Sequence, residues 1–380
     1  MVGLKNKLEL KNNSINKINT FKFLNKEQWK YTNFNYLAGF NFNKNNISKN
    51  PFFIKKSDSI EILSLRDLIK EKKELYLKFF NKIIPQENKF ILYNTAYFHN
   101  GYYFEIKKNS NNEYIFIDNN IETNSKDNFT NDRLIFNFNK NSKSTVFLNE
   151  KNIKNIKNNS VYELYLDDNS TVDFIIHSNQ PNATKILNLS ANINKNSTLN
   201  FYTINISGEL IKNNYYISLN RKNSTCNFNG IGLLDGKNHI DNYVEINHNK
   251  KHTISNLNYN NILSDFSKAI FYAKTTINKK CNQSEASQSN KNMLLSKSAS
   301  IQSNPQLIIN NDDVQCSHGS TTGEIDADAL FYMQSRGIKL EQAKKILLNS
   351  FLSNLVDEIN DEKALKTITE QINSWIKNVD

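Results

Sequence analysis

The sequence predicts a mainly β protein, a parallel β-helix (β-solenoid) with helical segments at both ends. Three observations favour this class. A hexapeptide pattern recurs at constant spacing, short β-type segments separated by Asn, Ser and Lys turns fill residues 130–315, and amphipathic helical patterns lie towards both ends. At 380 residues the chain can bury a full core and form more than one domain. We predict an N-terminal helical domain at 1–90, a β-helix core at 91–322 and a C-terminal helical domain at 323–380.

The repeat has the pattern Asn-Ser-Thr-x-Asn/Asp-Phe, in which Thr171, Thr198 and Thr225 are spaced 27 residues apart. Weaker copies around Thr145 and Thr253 continue it at nearly the same step. A period in the twenties with no helix between copies is typical of stacked coils. A β-sandwich would show no such repeat and a shorter strand spacing.

The flanking segments carry helical and turn signals. Residues 59–80 predict one or two helices from the spacing of their apolar residues. Residues 90–106 predict a β-hairpin, because two aromatic and β-branched runs flank Asn100-Gly101, a strong turn signal. After Gly323 three amphipathic helices are predicted, too many to bury their apolar faces on one another. They either cap the solenoid or dock a partner.

The net charge of +11 is a weak indication of a nucleic-acid or membrane partner here. The lysines are scattered through Asn-rich turns and do not line one face together with aromatic residues, as a phosphate-binding groove requires. The abundance of Asn, Lys and Ile suggests a biased genome acting on solvent-exposed positions. The three cysteines favour a reducing compartment. No apolar run reaches about 18 residues, which excludes a membrane-spanning helix.

Several enzyme classes lack their sequence signatures. The chain has no GxxxxGK[ST] phosphate loop, no GxGxxG and no GxSxG nucleophile motif. The pair Asp312-Asp313 leaves a carbohydrate-active β-helix enzyme as an alternative. Such enzymes display acids on successive coils, whereas the coils here display Asn and Lys.

Two groups of residues could bind a metal by their side-chain type, the other cysteines and three histidines, but their positions favour structural interpretations. Cys226 takes the repeat position of Val172 and Leu199, which predicts a core residue. Cys281 is predicted to lie in a loop as an exposed free thiol. His239, His248 and His252 match no tight metal-ligand spacing, so we do not assign them as ligands.

One pair stands apart, Cys316 and His318. If residues 307–318 form a strand, alternation places both side chains on one face, about 6–7 Å apart. A thiolate and an imidazole with the same direction can hold iron or an iron–sulfur cluster. Two residues alone are a weak motif.

The residues around Cys316 and His318 carry a more specific signal than the pair alone. The run PQLIINNDDVQCSHGSTTG (305–323) and the following FYMQSRGI (331–338) resemble the signature of the SufD branch of the SufB/SufD family of iron–sulfur cluster assembly proteins. The SufB branch carries His-Glu-Ala-Thr where this chain has His318-Gly-Ser-Thr321, and a cysteine where this chain has Ala286. Ser320 departs from the Ala usual in the family.

The resemblance implies a non-catalytic scaffold with a right-handed parallel β-helix. It implies pairing with a SufB-like paralogue through the β-helix, and with an ABC-type ATPase, SufC, through the C-terminal helices. A transient iron–sulfur cluster would be shared at the paralogue interface, with His318 as the first candidate ligand and Cys316 as the second. The residues that fall in the implied ATPase-docking region are Phe331, Tyr332, Arg336, Gly337 and Phe351.

The resemblance also bears on location and alternatives. It implies a cytoplasmic protein, or one of the plastid stroma if an organelle encodes it. It leaves a bound flavin open, although no residue of the sequence indicates one. A SufB-like scaffold acting without a partner is a further alternative, which the Ala286 position disfavours.

Overall fold

The computed structural model describes residues 2–20, 29, 32, 52–119, 128–151 and 156–379. The helices in these ranges are α1 (Val2–Thr20), α2 (Leu65–Glu71), α3 (Lys73–Phe79), α4 (Lys89–Tyr97), α5 (Ala327–Ser335), α6 (Leu340–Val356) and α7 (Glu362–Asn378). The first strands are β1 (Phe52–Lys56), β2 (Ile60–Ser64), β3 (Asn100–Ile106), β4 (Glu113–Asn119), β5 (Asn128–Phe138), β6 (Lys143–Lys151), β7 (Ile156–Leu166), β8 (Thr171–Asn179) and β9 (Thr184–Ile193). The remaining strands are β10 (Thr198–Ile206), β11 (Leu210–Leu219), β12 (Thr225–Leu234), β13 (His239–His248), β14 (Ile254–Leu263), β15 (Lys268–Ile277), β16 (Ser284–Leu294), β17 (Ser300–Ile309) and β18 (Val314–Gly323).

The strands form two nine-stranded sheets, which confirms the predicted β-solenoid. Sheet 1 runs in the order β1-β4-β6-β8-β10-β12-β14-β16-β18, and sheet 2 in the order β17-β15-β13-β11-β9-β7-β5-β3-β2. From β3 onward the chain alternates between the sheets and every pairing is parallel, with Thr171, Thr198 and Thr225 in register. At the start of the solenoid, β1 and β2 pair antiparallel with β4 and β3. These two strands fall inside residues 1–90, and the three-domain division stays a prediction.

Asparagine has a structural role at the corners of the coils. Asn169, Asn196 and Asn223 adopt left-handed backbone conformations, with φ of 60°, 56° and 58°. Asn is among the few residues that tolerate this conformation readily. Each side chain donates to the one in the preceding coil at 2.9 Å, which builds a ladder along the solenoid. Other asparagines, such as Asn159 and Asn213, are fully buried. The expectation that Asn marks solvent-exposed positions was therefore incomplete.

Columns of inward-facing residues fill the space between the sheets. Strand alternation directs every second residue inward, and parallel pairing stacks equivalent residues from successive coils. Phe174, Phe201 and Phe228 form such a column, with ring centroids 5.9 and 4.9 Å apart, and all three are fully buried. Apolar burial along these columns stabilises the coil stack.

The helices cover the outer faces of the sheets. Leu65 of α2 packs with Tyr103 and Ile135 on sheet 2. Helices α6 and α7 lie across the outer face of sheet 1, where residues such as Leu352 and Trp375 join one apolar cluster with the sheet. The tail therefore packs along the side of the solenoid. In α6 the buried face includes Ala343, Leu348 and Leu352, whereas Ile346 is 41% exposed.

The predicted hairpin at residues 90–106 was wrong. Its first half is helix α4, which begins where the Asn88 side chain accepts the Phe90 backbone N–H at 2.9 Å. Asn94 fixes this helix to sheet 2 by donating to the carbonyls of Asp132 and Asn159. Gly101 lies within β3, where a Cβ would come within 2.5 Å of the Leu65 side chain. The Asn-Gly pair therefore reflects close packing and not a turn.

A buried ion pair connects the segment after α3 to the solenoid. Arg133 and Glu163 lie on neighbouring strands and both are fully buried. The Glu163 carboxylate also accepts the backbone N–H groups of Asn81 and Lys82 at 2.8 and 3.0 Å. Removing one partner of such a pair typically costs about 3–5 kcal/mol.

No helix in the described part of the chain is long and apolar enough to cross a membrane.

Candidate functional site

Cys316 and His318 lie on β18, the last strand of sheet 1. Cys316 pairs with Ala286 and His318 pairs with Gln288 on β16. The Cys316 column runs back through Ala286, Ser255, Cys226 and Leu199, and the His318 column through Gln288, Leu257, Phe228 and Phe201. Earlier members of both columns are buried between the sheets, so the pair sits on the inward face of the final coil. The expectation that both share one face is confirmed by this register.

The strand prediction for residues 307–318 was wrong in its extent. Strand β17 ends at Ile309, and residues 310–313 form the corner that leads to β18. The Asp313 carbonyl accepts the Gln283 N–H at 2.7 Å, which fixes the corner to the preceding coil. Asp312-Asp313, the acidic pair weighed above for a carbohydrate-active enzyme, belongs to this exposed corner.

The two side chains differ in environment. Cys316 is half-buried and packs against Ile277, Cys281 and Ala286. Burial raises the pKa of the Cys316 thiol, and a hydrogen bond from the Ala286 backbone partly offsets this. His318 is exposed. His318 is therefore the more accessible of the two side chains.

Polar residues surround the pair at the open end. Ser320 donates to Ser303 at 2.8 Å, and Ser303 donates to the Asn290 side-chain oxygen at 2.8 Å. Asn290 and Ser320 occupy paired positions of β16 and β18. The apolar interior of the solenoid therefore becomes hydrophilic in its last two coils.

The other two cysteines are buried. Cys226 is fully buried in register with Leu199, which confirms the predicted core position, and burial raises its pKa to about 12. Cys281 lies in a loop as a free thiol, as predicted, but the prediction that it is exposed was wrong. It is fully buried because the corner after β15 turns its side chain inward, where the thiol donates to the His248 carbonyl at 3.3 Å.

The histidines at 239, 248 and 252 have separate roles. His248 is fully buried between Thr253 and Ser255, at 2.7 and 2.8 Å from their hydroxyls, and burial lowers its pKa to about 4. Burial also lowers the pKa of His239. His252 takes a left-handed corner position with φ of 59°. Among the described residues, no group of three or more His, Cys, Asp or Glu side chains is placed to hold a metal ion.

Strand β18 has an open edge. It is the last strand of sheet 1, and β17 is the last of sheet 2, within the part of the chain that the structure describes. Neither strand contains a charged residue, although proteins commonly protect such edges with charge. Pro305 removes one backbone donor from β17, whereas β18 keeps all of its backbone donors and acceptors. Strand β18 is therefore the better template for pairing with another chain.

Helix α5 presents the residues that the resemblance assigned to ATPase docking. It begins where Asp326 accepts the N–H groups of Asp328 and Ala329, and none of its residues is buried. Phe331 is 74% and Tyr332 59% exposed. The remaining three residues follow α5. Arg336 lies over the Tyr332 ring at 5.2 Å, Gly337 has a φ of 85° past the helix end, and Phe351 is half-buried on α6.

A cavity of about 470 Å³ lies beside α5. Leu330, Leu348 and Ile376 line it from the three C-terminal helices, and residues 294–297 line it from the end of β16 and the corner that follows. Exposed aromatic residues next to a partly apolar cavity are typical of protein-binding surfaces.

The fold and this end site together define a class, a β-solenoid with a metal-type Cys-x-His pair at its open end and an exposed helix beside it. A comparison with protein families matches residues 120–351 to the family described as SUF system FeS cluster assembly, SufBD core domain. The match covers more than half of the chain. The chain belongs to this SufBD family.

Individual relatives agree with this membership. The chain is 28% identical over 205 residues to an iron–sulfur cluster assembly SufBD family protein of Synechocystis, covering 53% of this chain and 45% of the relative. It is 30% identical over 167 residues to the iron–sulfur cluster assembly protein SufD of Escherichia coli, covering 44% and 40%. The match to Bacillus subtilis SufD is 30% identical over 116 residues, covering 30% and 26%. The chain thus matches less than half the length of these relatives.

Proposed function

We propose that this chain is a SufD-like subunit of a SufBCD-type scaffold on which iron–sulfur clusters are assembled. The observation that carries the proposal is the placement of Cys316 and His318 on the inward face of an open, uncharged edge strand. The family membership supplies the iron–sulfur context. The subunit binds its partners and the nascent cluster, and it is not itself an enzyme.

The open end provides part of a ligand set. Iron–sulfur clusters are generally held by four thiolates or by thiolates together with imidazoles. Cys316 and His318 supply two donors, with His318 the more accessible. A SufB-like paralogue that pairs with the edge of β18 would bring its own ligands to the same place. The cluster is cargo at this interface and leaves once it is complete.

The C-terminal helices would dock the driving ATPase. Phe331 and Tyr332 on α5 form an exposed aromatic surface, and Arg336 is held against Tyr332 by a hydrogen bond of 3.1 Å. Large aromatics and arginine are the residue types that dominate binding energy at interfaces. A SufC-type ATPase at this surface would supply ATP hydrolysis. We place the complex in the cytoplasm, or in the plastid stroma where an organelle encodes the chain.

Co-expression with the paralogue and ATPase of the same genome tests the proposal. A three-protein complex that carries iron and acid-labile sulfide would support it. A chain that purifies alone under these conditions, while the paralogue and ATPase form a loaded complex without it, would contradict it.

A further inference from the structure

The column that ends at His318 changes chemistry abruptly. Its members in successive coils are Phe174, Phe201, Phe228, Leu257, Gln288 and His318. Four apolar side chains are followed by an amide and then an imidazole. Gln288 is only 3% exposed, so an amide occupies a buried slot that the preceding coils fill with apolar groups.

Two hydrogen bonds fix the orientation of the Gln288 amide. Its Nε2 donates to the Thr275 Oγ1 at 2.6 Å and to the Gln306 carbonyl at 3.1 Å. A carbonyl can only accept, so the nitrogen must face β17. The amide oxygen, Oε1, is buried and has no hydrogen-bond partner among the described residues. An unpaired buried acceptor carries a free-energy penalty that the native protein normally avoids.

The neighbours of Gln288 in the column limit what can satisfy this oxygen. Leu257 lies on one side and has no donor, whereas His318 lies on the other side. Adjacent strands are about 4.8 Å apart, within reach of an imidazole that turns towards the amide. We propose that Gln288 is a positioning residue, whose Oε1 accepts one ring N–H of His318 when the end of the solenoid is closed by its partner. This inference rests on the proposed function, in which His318 is a ligand.

The contact would select one tautomer of His318. Histidines that bind metals generally donate their other ring N–H to a fixed acceptor, which sets the ring orientation and the nitrogen left free to bind. Gln288 would supply that acceptor from the interior and direct the other nitrogen to the shared site.

Two substitutions separate positioning from packing. Gln288→Leu removes the acceptor and keeps the fold, because Leu257 shows that this column accommodates leucine. Thr275→Val removes one of the two acceptors of the Gln288 Nε2 and leaves Oε1 in place, because the Gln306 carbonyl still holds the amide nitrogen. The ring nitrogens of His318 are read by solid-state NMR of the histidine-¹⁵N-labelled chain in complex with the paralogue. The His318 signals are assigned by their loss in His318→Ala.

We expect one dominant tautomer in the wild type and in Thr275→Val. In Gln288→Leu the tautomer ratio should change by about fivefold, the effect of one hydrogen bond. Identical His318 ring signals in the wild type and Gln288→Leu would overturn the inference. Full cluster assembly in His318→Ala would instead contradict the proposed function, so the two failures are distinguishable.

Discussion

Cys226 and Cys316 occupy the same inward-facing column of the solenoid, three coils apart, yet only Cys316 reaches solvent. Ser255 and Ala286 lie between them in register. Cys226 is fully buried with a pKa of about 12, whereas Cys316 belongs to the last coil and is half-buried. Position along the stack, and not the residue itself, therefore determines which thiol is available.

We predict that one of the three thiols reacts in the native protein. A thiol reagent should modify Cys316, whereas Cys226 and Cys281 should react only after unfolding. Because burial raises the pKa of Cys316, its reaction rate should still increase above pH 8.5, where an ordinary thiol is half ionised. The control is Cys316→Ser, which should show no rapid phase. Rapid modification of two thiols in the wild type would contradict the assigned burial.

The asparagine ladder should contribute measurably to stability. Asn196 adopts a φ of 56°, donates to Asn169 and accepts from Asn223, both at 2.9 Å. We expect Asn196→Ala to lower the free energy of unfolding by about 1–2 kcal/mol, because alanine is strained in this conformation. Asn196→Gly, which tolerates it, should lose less. Urea titration measures both, and an Asn196→Ala variant as stable as the wild type would refute the role of the ladder corner.

His248 should contribute stability that is lost in mild acid, because it is buried in its neutral form. Its folded pKa of about 4 lies below the unfolded value of about 6.5, so the unfolded chain binds the proton more readily between these pH values. This contribution is complete above pH 6.5 and is lost as the pH falls to 4. Its full size is on the order of 3 kcal/mol.

The control for this pH effect is His248→Gln. The free energy of unfolding is measured against pH in the wild type and in this variant. Asp132, whose pKa burial raises to about 7, acts in the opposite sense, since its contribution is lost as the pH rises from 4 to 7. Only the difference between wild type and variant isolates His248. Between pH 4 and 6.5 the change of the free energy of unfolding with pH should be less positive in the variant than in the wild type, by about 1.4 kcal/mol per pH unit. Equal slopes would contradict the assignment.

The exposed face of α5 should be required for ATPase binding. The double substitution Phe331→Ser with Tyr332→Ser should weaken binding of the SufC-type ATPase by about 2 kcal/mol or more. This corresponds to a roughly thirtyfold increase in Kd. Phe53→Ser is the control, because Phe53 is 58% exposed on β1, at the opposite edge of sheet 1 from β18 and the α5 that follows it. Calorimetric titration of the ATPase into each variant measures the affinity. Equal loss in both variants would show that general surface hydrophobicity is responsible.

The repeat made the solenoid predictable, since three Asn-Ser-Thr copies stack in register in the structure. Cys226 was placed correctly for the same reason. The hairpin was mispredicted because the Asn100-Gly101 signal is local, whereas Gly101 is required by the distant Leu65 side chain. A contact between residues so far apart in the chain cannot be predicted from a local stretch of sequence.

The site was predictable only in part. The Cys316 and His318 spacing and the surrounding motif identify the pair, but neither indicates Gln288. The coil step lengthens from 27 residues to 30 between Gln288 and His318, so extension of the constant repeat does not align them. Cys281 was misplaced because its corner turns inward, a feature fixed by backbone geometry and not by composition.

The most direct test of the shared site is the iron and sulfide content of the co-expressed SufBCD-type complex carrying His318→Ala. The control is Ser317→Ala, a neighbour on β18 that faces the opposite side of the strand. We predict that His318→Ala assembles with its partners and folds normally but loses nearly all cluster, while Ser317→Ala stays near wild type. Wild-type iron and sulfide in the His318→Ala complex would contradict the account.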